Sequence, residues 1–196
     1  MTFLSGVEAA GKVFAIGILF RPVALLTTGC VRAIRPKLAQ YLAARRHRHV
    51  TRIVLGASGA ALALHALVTL GIFVAWPWID ELIFSGRQGA APLLLGSWAT
   101  AYALMVVRNI VSSALQAGHA FRPLSLAMMA GAVVTVTGSL ALVAAFGPAY
   151  SIIGMVLGEA VSGGLILWRF RRMCRPVPSV ADAALHPSLA ERKAAP

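Results

Sequence analysis

The sequence predicts an all-α polytopic transmembrane bundle of about five spans, and three observations predict it. Hydrophobic residues make up 59% of the 196 and charged residues only 12%, against about 25% charged in a soluble domain. Five apolar stretches each reach the roughly 20 helical residues that a bilayer demands. Most of the net charge of +12 lies between those stretches, at Arg32 to Arg52 and Arg169 to Arg175, which is how cytoplasmic loops are marked. The same placement argues against nucleic acid as a partner, because a nucleic-acid face gathers its basic residues on a soluble surface among aromatics and polar groups.

The first span is expected at about 12–34, with Pro22 inside it kinking the helix and freeing the carbonyl of Gly17 or Ile18. Pro36 to Arg52 then reads either as an interfacial amphipathic helix, with Leu38, Tyr41 and Leu42 at helical spacing, or as a solvated loop that sets orientation. The second span, 53–76, ends in Trp76-Pro77-Trp78, aromatics suited to the far interface, and the loop from Ile79 to Gly89 follows. The third span, 92–116, carries Trp98, Tyr102, Arg108 and Asn109. A short turn at Gly118 to Pro123 leads to the fourth, 124–146, whose Thr135, Thr137 and Ser139 are expected to bond their own helix backbone. After a turn at Gly147-Pro148 the fifth, 149–168, presents a Gly154-xxx-Gly158 face suited to close helix approach. The bundle thus occupies 1–176, and 177–196 is expected to be a disordered cytoplasmic tail. Lys and Arg alternate between heavy and light loops, which places the N-terminus outside and the C-terminus in the cytoplasm.

Four ionisable side chains within the spans are the site candidates, since a charge at membrane depth needs a partner, water or a function. Arg21 is the first choice for substrate contact, because a guanidinium offers a rigid fork of donors to phosphate. Depth counted along each span puts Glu159 and His65 level with it, so Glu159 is expected as its counter-ion or as a proton-coupling group. Arg108 either snorkels toward the inner headgroups or lines a substrate cavity. His65 either bonds a neighbouring carbonyl or takes part in transport. Cys30 and Cys174 suggest neither a disulfide nor a metal site. No catalytic residue, metal or cofactor is expected, because the spans hold no paired carboxylates and no His/Asp/Ser cluster.

Three features carry a family resemblance. VFAIGILFRPVALLTTGCVRAIRPKLAQ closes on Pro36, Lys37, Leu38 and Ala39. LIFSGRQGAAPLLLGSWA, Leu82 to Ala99, places a Phe-small-Gly turn before a run of small residues. A pair of spans ending at Gly147 precedes a Gly-rich helix and a basic tail. Together they resemble the polysaccharide and lipid-linked oligosaccharide flippases of the multidrug/oligosaccharidyl-lipid/polysaccharide exporter superfamily, over residues 7–172 and most like the last five spans of the C-terminal half.

The resemblance implies an alternating-access cavity between two helical lobes, in the inner (cell) membrane. Cationic residues there would receive the diphosphate or acidic sugars of a lipid-linked oligosaccharide, a precursor of lipopolysaccharide or another envelope polysaccharide. It also implies a second half-transporter or a homodimer partner. The competing expectations are a non-transporting scaffold or assembly subunit of a cell-envelope glycan system, and an enzyme of lipid-linked glycan metabolism.

Overall fold

A computed structural model describes residue 11, residues 13–84 and residues 91–175. After a helical lead-in at 13–18 come α1 (Arg21–Ala43), α2 (His47–Phe84), α3 (Ala91–Ala117), α4 (Phe121–Phe146), a 3₁₀ turn (Pro148–Tyr150) and α5 (Ser151–Met173). Among the described residues, five helices are long and apolar enough to cross a membrane, the lead-in counting with α1. The chain is a multi-pass membrane protein of all-α architecture. The expected tail at 177–196 and residues 85–89 of the expected outer loop lie outside the described residues.

The kink at Pro22 takes the form of a restart. Leu19 and Phe20 form a turn, and α1 begins with proline in its first turn, where the missing N–H has no partner to lose. The amides of Leu19, Phe20 and Val23 bond back three residues, to Ile16, Gly17 and Phe20, at 3.1 to 3.2 Å. The turn is braced from α3, where Trp98 Nε1 donates to the Val13 carbonyl at 2.9 Å and the Tyr102 hydroxyl to that of Gly17 at 3.3 Å. Glycine is required at position 17 because a Cβ there would lie 2.6 Å from the Trp98 ring.

The basic segment from Pro36 to Arg52 is neither an in-plane helix nor a loop, which corrects both expectations. α1 runs straight through Pro36 to Ala43, and α2 starts at His47 after a three-residue turn in which Arg45 takes a positive φ of 54°. Leu38 and Val50 are fully buried in one core with Ile110, Leu115 and Phe170, and Tyr41 and Leu42 pack against it. The apolar positions at helical spacing therefore face neighbouring helices instead of headgroups. α2 likewise continues through Trp76-Pro77-Trp78 to Phe84, so the first six residues of the expected outer loop are helical.

α3 is the central helix. Of the most apolar stretch of each span, 44% is buried in α3 and only 11% in α4. α1, α2 and α5 all pack on α3, while α4 packs chiefly on α5. That last contact uses the glycine face expected from sequence: a Cβ on Gly131 would meet Ser162 at 2.7 Å, and Gly154 and Gly158 face Ser139 and Thr135. Ser139 also corrects an expectation, since its hydroxyl donates across to the Ser151 carbonyl at 2.8 Å instead of bonding its own helix. Thr137 does bond its own helix, at the Val133 carbonyl. Leucines and valines such as Leu25, Leu67, Val133 and Leu140 stay exposed, an apolar exterior suited to lipid.

The alternation of helix direction collects the cations. Arg32, Arg35, Lys37, the Arg45 to Arg52 group, Arg122 and the Arg169 to Arg175 group all fall at one end of the bundle, with no described carboxylate beside them in sequence. There Arg169 and Arg172 lie over the Trp168 ring, 4.8 and 4.0 Å from its centroid, a cation–π arrangement suited to a membrane interface.

Candidate functional site

α1 and α3 run parallel, both toward the basic end, and α1 and α4 share no extensive packed face. The result is a groove of about 670 Å³ with α3 as floor and α1 and α4 as walls. Asn109, Ser112 and Gln116 supply the floor, Thr28 and Arg35 one wall, and Ser125, Met128 and Met129 the other. Arg35 Nη2 donates to Gln116 Oε1 across the groove.

Polar residues recur at seven-residue intervals on α1 and α3, and Thr28, Arg35, Asn109 and Gln116 among them line this groove. Arg21, Thr28 and Arg35 are all exposed and fall within about 40° of one another around α1, since a heptad drifts only about 20°. Tyr102, Asn109 and Gln116 form the matching row on α3. Residues of equal rank meet at two of the three rungs: Arg35 bonds Gln116, and Thr28 and Asn109 line the same groove. At a rise of about 1.5 Å per residue the rungs are about 10 Å apart and the ladder about 21 Å long. A hydrocarbon slab of about 30 Å centred on Leu104, the middle of α3, places the Arg21 rung about 3 Å from the midplane and the Arg35 rung about 3 Å outside the slab. An arginine exposed to lipid at the depth of Arg21 costs at least about 2.5 to 3.5 kcal/mol, and among the described residues it has no carboxylate partner.

Glu159 is therefore not the counter-ion of Arg21, contrary to expectation. Its Oε2 lies 3.1 Å from Arg108 Nε, each side chain 13% exposed. The depth count misled because it ran each span from its own ends. Arg21 sits at the level of Tyr102, and Glu159 at that of Arg108, about 9 Å further along α3. The pair is in charge contact without hydrogen-bond alignment, since neither Arg108 Nε nor Glu159 Oε2 has a hydrogen-bond partner. The remaining donors of Arg108 reach Met128 Sδ at 3.2 Å and Asn109 Oδ1 at 3.3 Å. Arg108 thus turns inward toward α5 instead of snorkelling. With Thr135 and Ser162 the pair lines a cavity of about 380 Å³, which shares Met128 and Ala132 with the groove.

His65 is 4% exposed and its Nε2 donates to the Ala99 carbonyl at 2.9 Å, beside the Phe20 ring at 6.0 Å. This is the carbonyl-bonded state anticipated for it. It lines a shallow cavity of about 410 Å³ between α2 and α3, outside the groove of α1 and α4.

Of the four candidates, then, the structure joins Arg108 to Glu159, aligns Arg21 with the groove and sets His65 apart. Sequence reasoning missed Arg35, Thr28, Asn109 and Gln116 as a set. The two heptad rows were the available signal, and what sequence lacks is their register. No protein-family model, curated protein or solved structure matches the chain.

Proposed function

We propose that this protein is a membrane transporter, exporting or flipping a polysaccharide or lipid-linked oligosaccharide precursor as one half of an alternating-access assembly. The groove is the observation that carries this reading. A polar floor and two arginines on one exposed face of apolar spans are unfavourable against lipid tails. They suit a headgroup or water path, and a second half or a second copy would supply the opposite wall. In this reading the basic end faces the cytoplasm by the positive-inside rule, the N-terminus lies outside, the membrane is the inner (cell) membrane, and Arg35 stands at the point of entry.

The test is surface-polysaccharide export in cells that depend on this chain. Arg21→Ala and Arg35→Ala are expected to abolish export while the protein still inserts and accumulates; wild-type export from either variant sinks the site. A scaffold or assembly subunit is the second reading, favoured by the Arg108–Glu159 pair, which ties α3 to α5 as a structural lock. A scaffold tolerates Arg21→Ala and Arg35→Ala without loss of glycan export.

A further inference from the structure

We infer that the lead-in and α1 dock a transmembrane helix from outside this sequence, not a second copy of the chain, and that this helix carries a carboxylate level with Arg21. The inference rests on the half-transporter reading only in assigning that helix to the opposite lobe. Its charge argument stands without it.

The docking face is a seam at coiled-coil spacing. Phe14, Ile18, Arg21, Leu25, Thr28 and Arg32 follow one another at alternating steps of four and three residues, the pattern that keeps one line of a helix toward another. All six are exposed, Phe14, Ile18 and Leu25 by 66%, 58% and 73%. Internal packing uses a different side of α1, since its buried positions Val23, Thr27, Val31 and Leu38 lie roughly 120° around from Arg21. Gly29, beside the seam, has nothing within 4 Å of where a Cβ would sit, so a second backbone has room to approach. Thr28 belongs to both the seam and the groove wall, and a helix seated here also closes the groove.

Charge identifies the occupant. Arg21 makes no hydrogen bond or ion pair with any described residue, and it lies outside the lining of the groove. Near the midplane, an exposed charge calls for an opposite one. A second copy does not supply it. Pairing two copies along this seam sets Arg21 against Arg21. Of the described carboxylates, Glu159 is 13% exposed and held by Arg108 at 3.1 Å. Asp80 and Glu81 lie further along α2 than His65, which bonds α3 at Ala99, one turn from Tyr102. At about 1.5 Å per residue they stand about 22 Å or more toward the outer end. Copies with the same loop charges share one orientation, so neither carboxylate reaches the depth of Arg21 in a neighbour. The partner helix is therefore apolar opposite Phe14, Ile18 and Leu25, and acidic opposite Arg21.

The experiment uses the full chain in liposomes of zwitterionic lipid at pH 8, as a Cys174→Ser variant carrying a donor fluorophore on the exposed Cys30. The probes are acceptor-labelled synthetic Leu/Ala helices with a central Glu, a central Gln, a central Lys, or a Glu one heptad off centre, and energy transfer reads their association. The Glu-centred helix is expected to bind at least tenfold more tightly than the Gln-centred or off-centre ones. Arg21→Gln should abolish that preference, Arg32→Gln should leave it unchanged, and Arg21→Glu should prefer the Lys-centred helix. Leu25→Trp, which blocks the seam and keeps Arg21, should weaken the Glu-centred helix about tenfold.

Equal binding of the Glu-centred and Gln-centred helices overturns the acidic partner. The same preference in Arg21→Gln removes Arg21 as its reader, and unchanged binding in Leu25→Trp removes the seam. Transfer between donor-labelled and acceptor-labelled copies of the chain that exceeds transfer to the Glu-centred helix, and that Leu25→Trp abolishes, makes the occupant a second copy and overturns the inference. Preference for the Glu-centred helix in a chain whose Arg35→Ala variant exports normally leaves the docking standing and removes the transport reading. Loss of export in Arg35→Ala with no such preference does the reverse.

Discussion

Replacing Arg108 and Glu159, singly and together, tests the one described ion pair within the spans. At 3.1 Å the attraction is about 5 kcal/mol at an effective dielectric constant of about 20. Burying the two charges costs several kcal/mol each, so the pair as a whole gains little over packed apolar side chains. Removing one partner is different, because it strands the other charge among α3, α4 and α5. The usual loss is about 3 to 5 kcal/mol, and the missing hydrogen-bond alignment favours the lower figure. Arg108→Met and Glu159→Met should therefore each lose about 3 kcal/mol, or roughly 6 to 12 °C in melting temperature for a chain of this size, while the double variant loses about 1 kcal/mol or less.

Thermal unfolding in detergent, with a double-mutant cycle, reads these values directly. A second cycle with Arg21→Met in place of Arg108→Met should be additive within about 0.5 kcal/mol, as for sites that share no partner. Single variants that melt with wild type, or a double variant that loses the sum of the singles, would refute the pairing. Coupling of Glu159 to Arg21 instead would restore the partnership that sequence depth suggested.

Gly158→Leu should separate α4 from α5 and cost about 1 to 3 kcal/mol or more by overpacking against Thr135 and Gly131, read as loss of a disulfide engineered between the two helices. Gly17→Ala forces the Trp98 ring off the braced turn, and a red shift of its fluorescence, measured with the other tryptophans replaced by Phe, reports the displacement. His119 holds a positive φ of 57°, so His119→Gly should raise stability by about 1 kcal/mol, and an unchanged or lower melting temperature contradicts this. Burial pushes the Cys174 thiol up, and the Thr51 side chain offsets part of the rise. The unfolded chain thus releases this proton first, and the associated stability is fully present below the unfolded thiol's pKa and is lost as pH rises from there through the raised pKa of the folded thiol. Alkylation of Cys174 in a Cys30→Ser background should turn on at higher pH in the folded protein than in an unfolded control.

The membrane architecture was legible because apolar length and loop charge are one-dimensional quantities. So was the Gly154/Gly158 contact, since only small residues let two helix backbones approach so closely. The kink at Pro22 was legible from the missing N–H, though the restart that replaced a simple bend depended on Trp98 and Tyr102 bracing it from another helix. Helix ends were less legible. Leu38, Tyr41 and Leu42 have the same spacing whether they face headgroups or Val50 and Phe170, and proline at position 36 signals an end that tertiary burial overrides.

The candidate site divides along the same line. The sequence by itself determined that a few charges lie at membrane depth and that each needs a partner or a function. Only the tertiary structure decided that Glu159 belongs to Arg108, that Arg35 joins Gln116, and that the polar rows of α1 and α3 meet at the groove. The reason is physical. Composition fixes how deep a residue can sit within its own helix, but axial register and rotation between helices come from side-chain packing, such as Trp98 against Gly17 and Gly158 against Thr135. A shift of about 9 Å along α3 is enough to exchange one counter-ion for another.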